Sequence, residues 1–119
     1  MKVVVTSQGK EMNSEMDPRF GRANCFIVVD TDTGEHQVVD NTQNINAAQG
    51  AGIQAAQSVA RLKAQAVLTG HCGPKAFRVL NEAGIKIYTG AEGTVQAAVE
   101  KLKAGEYKAA GSPDVEGHW

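Results

Sequence analysis

The chain has 119 residues, enough for one domain with a sizeable hydrophobic core. Its net charge of −1 excludes a strongly basic or acidic protein, so we expect neither nucleic acid nor a membrane surface as a partner. Aromatic residues make up only 5% of the chain, and the interior must therefore consist mainly of Val, Ile, Leu and Ala.

The N-terminal residues have a strand pattern and not that of a targeting segment. They lack the apolar length and the cleavage site of a signal peptide, and no apolar run is long enough to span a membrane. The two cysteines, Cys25 and Cys72, form neither a disulfide framework nor a Cys-x-x-Cys metal motif. These features predict a cytoplasmic protein with reduced thiols.

In the first third of the chain, the pattern predicts three strands. Residues 2–6 are a continuous apolar run typical of a buried strand, and residues 7–23 follow as a long polar loop. Residues 25–30 predict a second strand, which a turn at 31–34 connects to a more exposed strand at 35–40.

The remainder alternates between helices and strands. After an Asn-rich loop, helices are predicted at residues 47–63, 74–82 and 94–104, with strands at 66–69 and 85–88. This order predicts a single α/β domain with a five-stranded mixed sheet and helices on both faces. We place the domain at residues 1–105, followed by a loosely held polar tail at 106–119.

The segment Thr-Gly-His-Cys-Gly-Pro-Lys at residues 69–75 is the strongest functional signal. It connects a strand to a helix at the carboxyl edge of the sheet, where the helix start favours an anion. His71 and Cys72 are candidate metal ligands, and the helix start beside Lys75 favours a Cys72 thiolate. Cys72 as an ordinary turn residue is the alternative. The candidate ligand-binding residues of this turn are Gly70, His71, Cys72, Gly73 and Lys75.

Three other segments are predicted near the same edge. Arg19 and Arg22 flank Phe20 and Gly21 in the first loop and can present guanidinium donors to an anion, or can simply be exposed. Residues 49–52 open a helix with small side chains, which favours close packing slightly over ligand binding. Gly93 and Thr94 belong to a Gly-rich turn that starts another helix, of which Thr94 is the expected N-cap, and can supply backbone donors.

Several enzyme classes lack their motifs here. The chain has no Walker A sequence, no Gly-x-Gly-x-x-Gly after its first strand, no Ser/His/Asp set in a recognisable context and no paired carboxylates on facing strands. Two alternatives to a binding protein remain open. One is a small enzyme that uses Cys72 as its nucleophile, and the other is a sensor of small anions or nucleotides.

Taken together, the motifs resemble the dinitrogenase iron–molybdenum cofactor biosynthesis family, which includes NifX- and NafY-type carriers and the C-terminal domain of NifB. The resemblance covers residues 1–105. It rests on Arg-Phe-Gly-Arg-Ala at 19–23, Gly-Ala-Gly at 50–52, Thr-Gly-x-x-Gly-Pro-Lys-Ala at 69–76 and Gly-Ala-x-Gly-Thr-Val at 90–95. Many members have an apolar residue or glycine where this chain has His71 and Cys72.

The resemblance implies a ribonuclease H-like fold and a non-catalytic binding or carrier protein for an anionic metal–sulfur cluster. It implies a cluster of molybdenum–copper sulfide type or of iron–molybdenum cofactor type, held largely non-covalently. A second protein that donates or receives the cluster would be a partner. Arg19 and Arg22 would then make charge-assisted contacts, while the turns at 70–75 and 90–94 would supply backbone donors.

Overall fold

A run of β-branched residues begins the chain and forms the central strand of the sheet. The computed structural model describes residues 1–41 and 50–111. In chain order the elements of these ranges are β1 (Lys2–Ser7), β2 (Cys25–Asp30), β3 (His36–Asp40), α1 (Ala51–Arg61), β4 (Ala66–Leu68), α2 (Pro74–Glu82), β5 (Lys86–Tyr88) and α3 (Val95–Lys103).

The five strands form one mixed sheet in the order β3-β2-β1-β4-β5. The central strand β1 pairs parallel with β4, and β4 pairs parallel with β5. On the other side, β2 is antiparallel to both β1 and β3. This is the ribonuclease H-like arrangement, and it confirms the predicted single α/β domain with a five-stranded mixed sheet.

Alternate residues of the strands supply two separate cores. Val4, Val28 and Val67 face α1 and α2, in a cluster that also holds Ala56 and Leu80. The neighbouring strand residues face the opposite side and pack with α3, in a cluster composed of Val3, Val5, Ile27, Val29, Ala66, Leu68, Val95, Ala98, Val99 and Leu102, among others. The prediction of helices on both faces is therefore confirmed, and it follows from the two-residue period of a strand.

The first helix is shorter than predicted. Gly50 precedes it in a left-handed conformation (φ 77°), and residues 47–49 of the predicted helix lie outside the described residues. At the other end, Leu62 is the C-cap and Lys63 is left-handed (φ 58°), so the helix cannot continue to Lys63. The other two predicted helices agree with α2 and α3 to within one residue.

Part of the segment after α3 pairs with the edge of the sheet. Ala109 forms an antiparallel bridge with Tyr88, and the Ala110 N–H donates to the Ile87 carbonyl at 2.7 Å. The predicted tail is therefore not loosely held at this point, whereas residues 112–119 lie outside the described residues. Within the two described ranges, none of the helices has the length and apolarity needed to cross a membrane.

Candidate ligand-binding site

The loop between β1 and β2 crosses the carboxyl end of the parallel strands and binds to the turn between β4 and α2. The His71 N–H donates to the Pro18 carbonyl at 2.7 Å, and the Phe20 N–H donates to the His71 carbonyl at 3.2 Å. Gly70 makes this contact possible, because a Cβ there would lie 2.8 Å from both Cα and O of Pro18. Two of the segments singled out in the sequence are thus joined by backbone pairing.

Asp17 fixes the first part of this loop and orients Arg19. The Asp17 N–H donates to the Thr6 carbonyl at 3.0 Å, while the Thr6 hydroxyl donates to the Asp17 carbonyl at 2.7 Å. Oδ1 of Asp17 accepts the Arg19 N–H at 3.0 Å and lies 3.5 Å from Arg19 Nε. The sequence analysis did not identify Asp17. Its carboxylate accepts the backbone N–H of the residue two positions later, which is the hydrogen bond of an Asx turn, and Asp is a residue that favours such turns.

The second part of the loop contacts the start of α1. A Cβ at Gly21 would lie 2.7 Å from Cα and 2.8 Å from N of Gly52, so the two backbones touch. Phe20 is buried and its ring lies 5.8 Å from that of Phe26, so this side chain anchors the loop in the core. The half-buried Arg22 follows Gly21, and the loop therefore joins the starts of α1 and α2.

At the turn before α3, the helix amides that follow Gly93 and Thr94 form hydrogen bonds within the protein, while donation by Gly93 and Thr94 to a ligand stays a prediction. Thr94 is the N-cap, as predicted, and its Oγ1 accepts the Ala97 N–H at 3.1 Å. The loop carbonyls of Met12 and Ser14 accept the Gln96 and Val95 N–H groups at 2.8 and 2.9 Å. The Gly93 carbonyl accepts the Met16 N–H at 2.9 Å. This helix start binds the first loop, so its first amides are already used within the protein.

The starts of α1 and α2 differ from that of α3, because their N-caps, Gly50 and Gly73, provide no side-chain hydrogen bond. A cleft of about 300 Å³ lies between these two helices and is lined by Ile53, Pro74, Lys75, Arg78 and Val79. Both helix dipoles direct positive potential toward their N-termini, and the two cationic side chains add to it. The cleft therefore favours an anion that also has apolar contacts to make.

Of the residues that line the cleft, only Lys75 was a candidate binding residue in the sequence, although Pro74 lies in the same segment. Arg78 and Val79 follow Lys75 by three and four positions on α2, and this spacing places all three side chains along one face of the helix. This spacing is the sequence feature from which Arg78 and Val79 could have been predicted to lie beside Lys75. The contribution of Ile53 could not be read in the same way, because it depends on how α1 packs beside α2.

His71 and Cys72 are adjacent in sequence but have different environments. His71 is partly exposed, whereas Cys72 is 0% exposed and belongs to the core cluster under α1 and α2. The Cys72 Sγ lies 3.7 Å from the Gly73 carbonyl. The structure thus differs from the expectation that both side chains line the ligand side of the turn, because the thiol packs into the core. In residues 1–41 and 50–111, no three His, Cys, Asp or Glu side chains are grouped so that they could hold a metal ion.

Cys25 is also buried, at the start of β2. Its Sγ donates to the Gly9 carbonyl at 3.1 Å, and burial raises the pKa of this thiol above its ordinary value. Its environment is that of a cysteine that packs in the protein interior.

Comparison with known proteins identifies the family. The family model described as dinitrogenase iron-molybdenum cofactor matches residues 1–105. The chain belongs to this family. The resemblance inferred from the motifs is thereby confirmed, over the same residues on which it was based.

Two solved structures are similar over nearly the whole chain. The apo form of the orange protein from Desulfovibrio gigas is 42% identical, with a TM-score of 0.93 and 96% of each chain covered. A protein from Thermotoga, provisionally described as NifB, is 34% identical, with a TM-score of 0.84 and 98% of each chain covered.

An uncharacterised protein of Methanocaldococcus jannaschii is 32% identical over 79 residues. This match covers 64% of the present chain and 66% of that protein, just under two thirds of its length.

Proposed function

We propose that this chain binds and carries an anionic metal–sulfur cluster, held largely non-covalently in the cleft between α1 and α2. One observation carries the proposal: two helix N-termini without side-chain caps meet two cationic side chains, Lys75 and Arg78, in a cleft of about 300 Å³. Membership of the dinitrogenase iron-molybdenum cofactor family supports a metal cluster as the anion.

The chemistry of the cleft suits a cluster whose sulfides are already bound to metal. Such a cluster needs no thiolate from the protein; it needs hydrogen-bond donors and positive charge to balance its own negative charge. Lys75 and Arg78 supply charge, and Ile53 and Val79 supply apolar contact. Removing water from around the cluster strengthens its interaction with the two cations.

The first loop would form the rim of this site. Arg19 and His71 belong to one backbone bridge, and Arg22 lies beside the contact between Gly21 and the start of α1. We propose that the two arginines make charge-assisted contacts to the cluster and that His71 contacts it directly, as a donor or a metal ligand. Gly70 and Gly73 would keep the turn close to the loop and to the bound anion.

For the cluster itself we propose the molybdenum–copper sulfide type or the iron–molybdenum cofactor type. The protein would act without catalysis, as a cytoplasmic carrier, and would exchange the cluster with a second protein that donates or receives it. An open cleft at the surface is suited to exchange, because the bound cluster stays accessible to that partner.

The structure gives less support to one of the two alternatives, the thiol-dependent enzyme. A thiol-dependent enzyme requires an accessible nucleophile, and the Cys72 side chain is 0% exposed. A sensor of small anions or nucleotides would use the same cationic cleft. It differs from the cluster carrier in the ligand that is retained, so the experiment below separates the two.

The test is reconstitution of the metal-free protein with tetrathiomolybdate and copper(I), followed by gel filtration, visible absorption spectroscopy and elemental analysis. We expect stoichiometric molybdenum and copper and a charge-transfer band in the protein fraction. A parallel sample receives iron and molybdate with sulfide. Colourless, metal-free protein from both samples would contradict the proposal, and stabilisation by phosphate or nucleotides in a thermal-shift assay would then support the sensor.

A further inference from the structure

The acidic residues of the chain are distributed unevenly. All 13 of them lie in residues 1–40 or 82–119, and residues 41–81 contain none. The same acid-free segment contains four cationic side chains, which are Arg61, Lys63, Lys75 and Arg78. The net charge of −1 therefore conceals a positive segment between two negative ones.

The fold converts most of this segment into one surface. The helices α1 and α2 pack side by side on the same side of the sheet, and their buried residues belong to one core cluster. Their solvent-facing residues recur every three or four positions, so each helix exposes one face. Glu82, the last residue of α2, is the acid of these two helices. We define the α1/α2 face by the exposed residues Gln54, Gln57, Arg61, Lys75 and Arg78.

The opposite side of the sheet has mixed charge. Glu100 and Lys103 of α3 form an ion pair at 3.8 Å, and Glu92 is exposed just before this helix. Glu15 of the first loop bridges to Thr94, which places a further acid at the start of α3. The α1/α2 face therefore attracts an anionic macromolecule, whereas the acids around α3 repel it.

The cations of this face are not neutralised by acids of the protein. In residues 1–41 and 50–111, no ion pair includes a cation of the α1/α2 face or the exposed Lys63. A cluster in the cleft would compensate Lys75 and Arg78, which line it. Arg61 does not line the cleft and lies about 12 Å along the helix axis from Ile53. Its charge is therefore available to a second anion.

We propose that the α1/α2 face docks the protein that exchanges the cluster, and that this partner presents a patch of exposed Asp and Glu side chains. The inference rests on the proposed function, because it assigns the chemistry of the partner at the same site. Arg61 and Lys63 orient the partner beside the cleft, and complementary charge accelerates its approach. The exposed positions of the face hold only Gln, Lys and Arg, without an aromatic side chain on which nucleic acid bases could stack.

Amide chemical shifts of the isotope-labelled, metal-free protein test the docking surface. The probe is a synthetic helical peptide with Glu along one face, compared with the same peptide with Gln at each Glu and with a single-stranded oligonucleotide of equal charge. We expect the acidic peptide to cause saturable shifts at Gln54, Gln57 and Arg61, with an affinity that falls several-fold as salt rises. Shifts centred on α3, equal binding of the Gln peptide or tighter binding of the oligonucleotide would overturn the proposal.

Two charge-removing variants separate this surface from the cluster site. Arg61→Gln with Lys63→Gln should bind the acidic peptide several-fold more weakly, yet retain as much molybdenum after reconstitution as the unchanged protein. Lys101→Gln with Lys103→Gln, the matched control on α3, should bind the peptide normally; all four positions are exposed, so the fold is kept. Equal peptide affinity in the two variants overturns the proposal, whatever their molybdenum content. If the unchanged protein binds the peptide but retains no metal, the proposed function fails and the face is still assigned to an acidic protein.

Discussion

Nε of Arg19 lies 3.5 Å from Oδ1 of Asp17, a carboxylate whose side chain is only 4% exposed. Because the same oxygen accepts the Arg19 N–H, this one carboxylate holds both the backbone and the side chain of the arginine. A buried acid thus determines the position of an exposed cation at the rim of the candidate site. The carboxylate has a positioning role, and its charge and its shape can be tested separately.

Asp17→Ala should destabilise the protein by about 1–3 kcal/mol, because it removes the acceptor of a partly buried backbone N–H. Asp17→Asn keeps an oxygen acceptor in nearly the same shape and removes the charge. We expect this control to lose less stability but to loosen Arg19. Urea unfolding measures the stability, and Arg19 Nε NMR line widths measure its mobility. An equal loss of stability in both variants would contradict a stabilising role of the oxygen acceptor that is separate from its charge.

Replacing both Arg19 and Arg22 by Ala should strongly weaken retention of the reconstituted cluster, since charge-assisted contacts to an anion are lost. The measurement is the molybdenum content that remains after gel filtration. Lys101→Ala with Lys103→Ala removes two cations from α3, on the opposite face of the sheet, and serves as the control. Retention equal to that of the control would remove the first loop from the site.

Gly70→Ala should disturb the docking of the first loop, because the new Cβ would lie 2.8 Å from the backbone of Pro18. The expected cost is about 1–3 kcal/mol of unfolding free energy, as in other overpacked sites. Hydrogen exchange of the His71 amide, which bonds to Pro18, should accelerate. Gly111→Ala, where a Cβ meets nothing within 4 Å, is the control. Unchanged exchange at His71 would show that the loop accommodates the methyl group.

Cys72→Ala tests whether the thiol packs in the core or binds metal. Because the side chain is 0% exposed in a core cluster, we expect a loss of about 1–2 kcal/mol in stability with cluster retention unchanged. A variant that folds with wild-type stability and no longer retains metal would instead support direct ligation by Cys72.

The fold could be predicted almost completely, and the candidate site only in part. The strands at residues 2–6 and 25–30 are continuous apolar runs, and the turns between elements are marked by their own residues. Both can therefore be recognised from neighbouring residues alone. The N-terminus of α3 shows both the success and the limit of prediction. The role of Thr94 as a cap was predicted correctly. That Ser14 and Met12 already use the neighbouring amides was not predicted, since it depends on a loop that pairs across about eighty positions.

The same limit applies to Cys72 and to the cleft. A turn residue adjacent to His71 has no sequence feature that decides whether its side chain points to solvent or into the core. The cleft between α1 and α2 arises from the packing of two helices, and Ile53 and Arg78 line it together only through that packing.

The most direct test of the account is the effect of the two cleft cations on cluster binding. Lys75→Gln with Arg78→Gln removes two positive charges from the cleft, whereas Lys101→Gln with Lys103→Gln removes two from the opposite face. After reconstitution with tetrathiomolybdate and copper(I), molybdenum per protein is measured following gel filtration. We predict that the cleft variant loses most of its molybdenum at unchanged stability and that the control retains it. Equal molybdenum in both variants would contradict the assignment of the cleft as the cluster site.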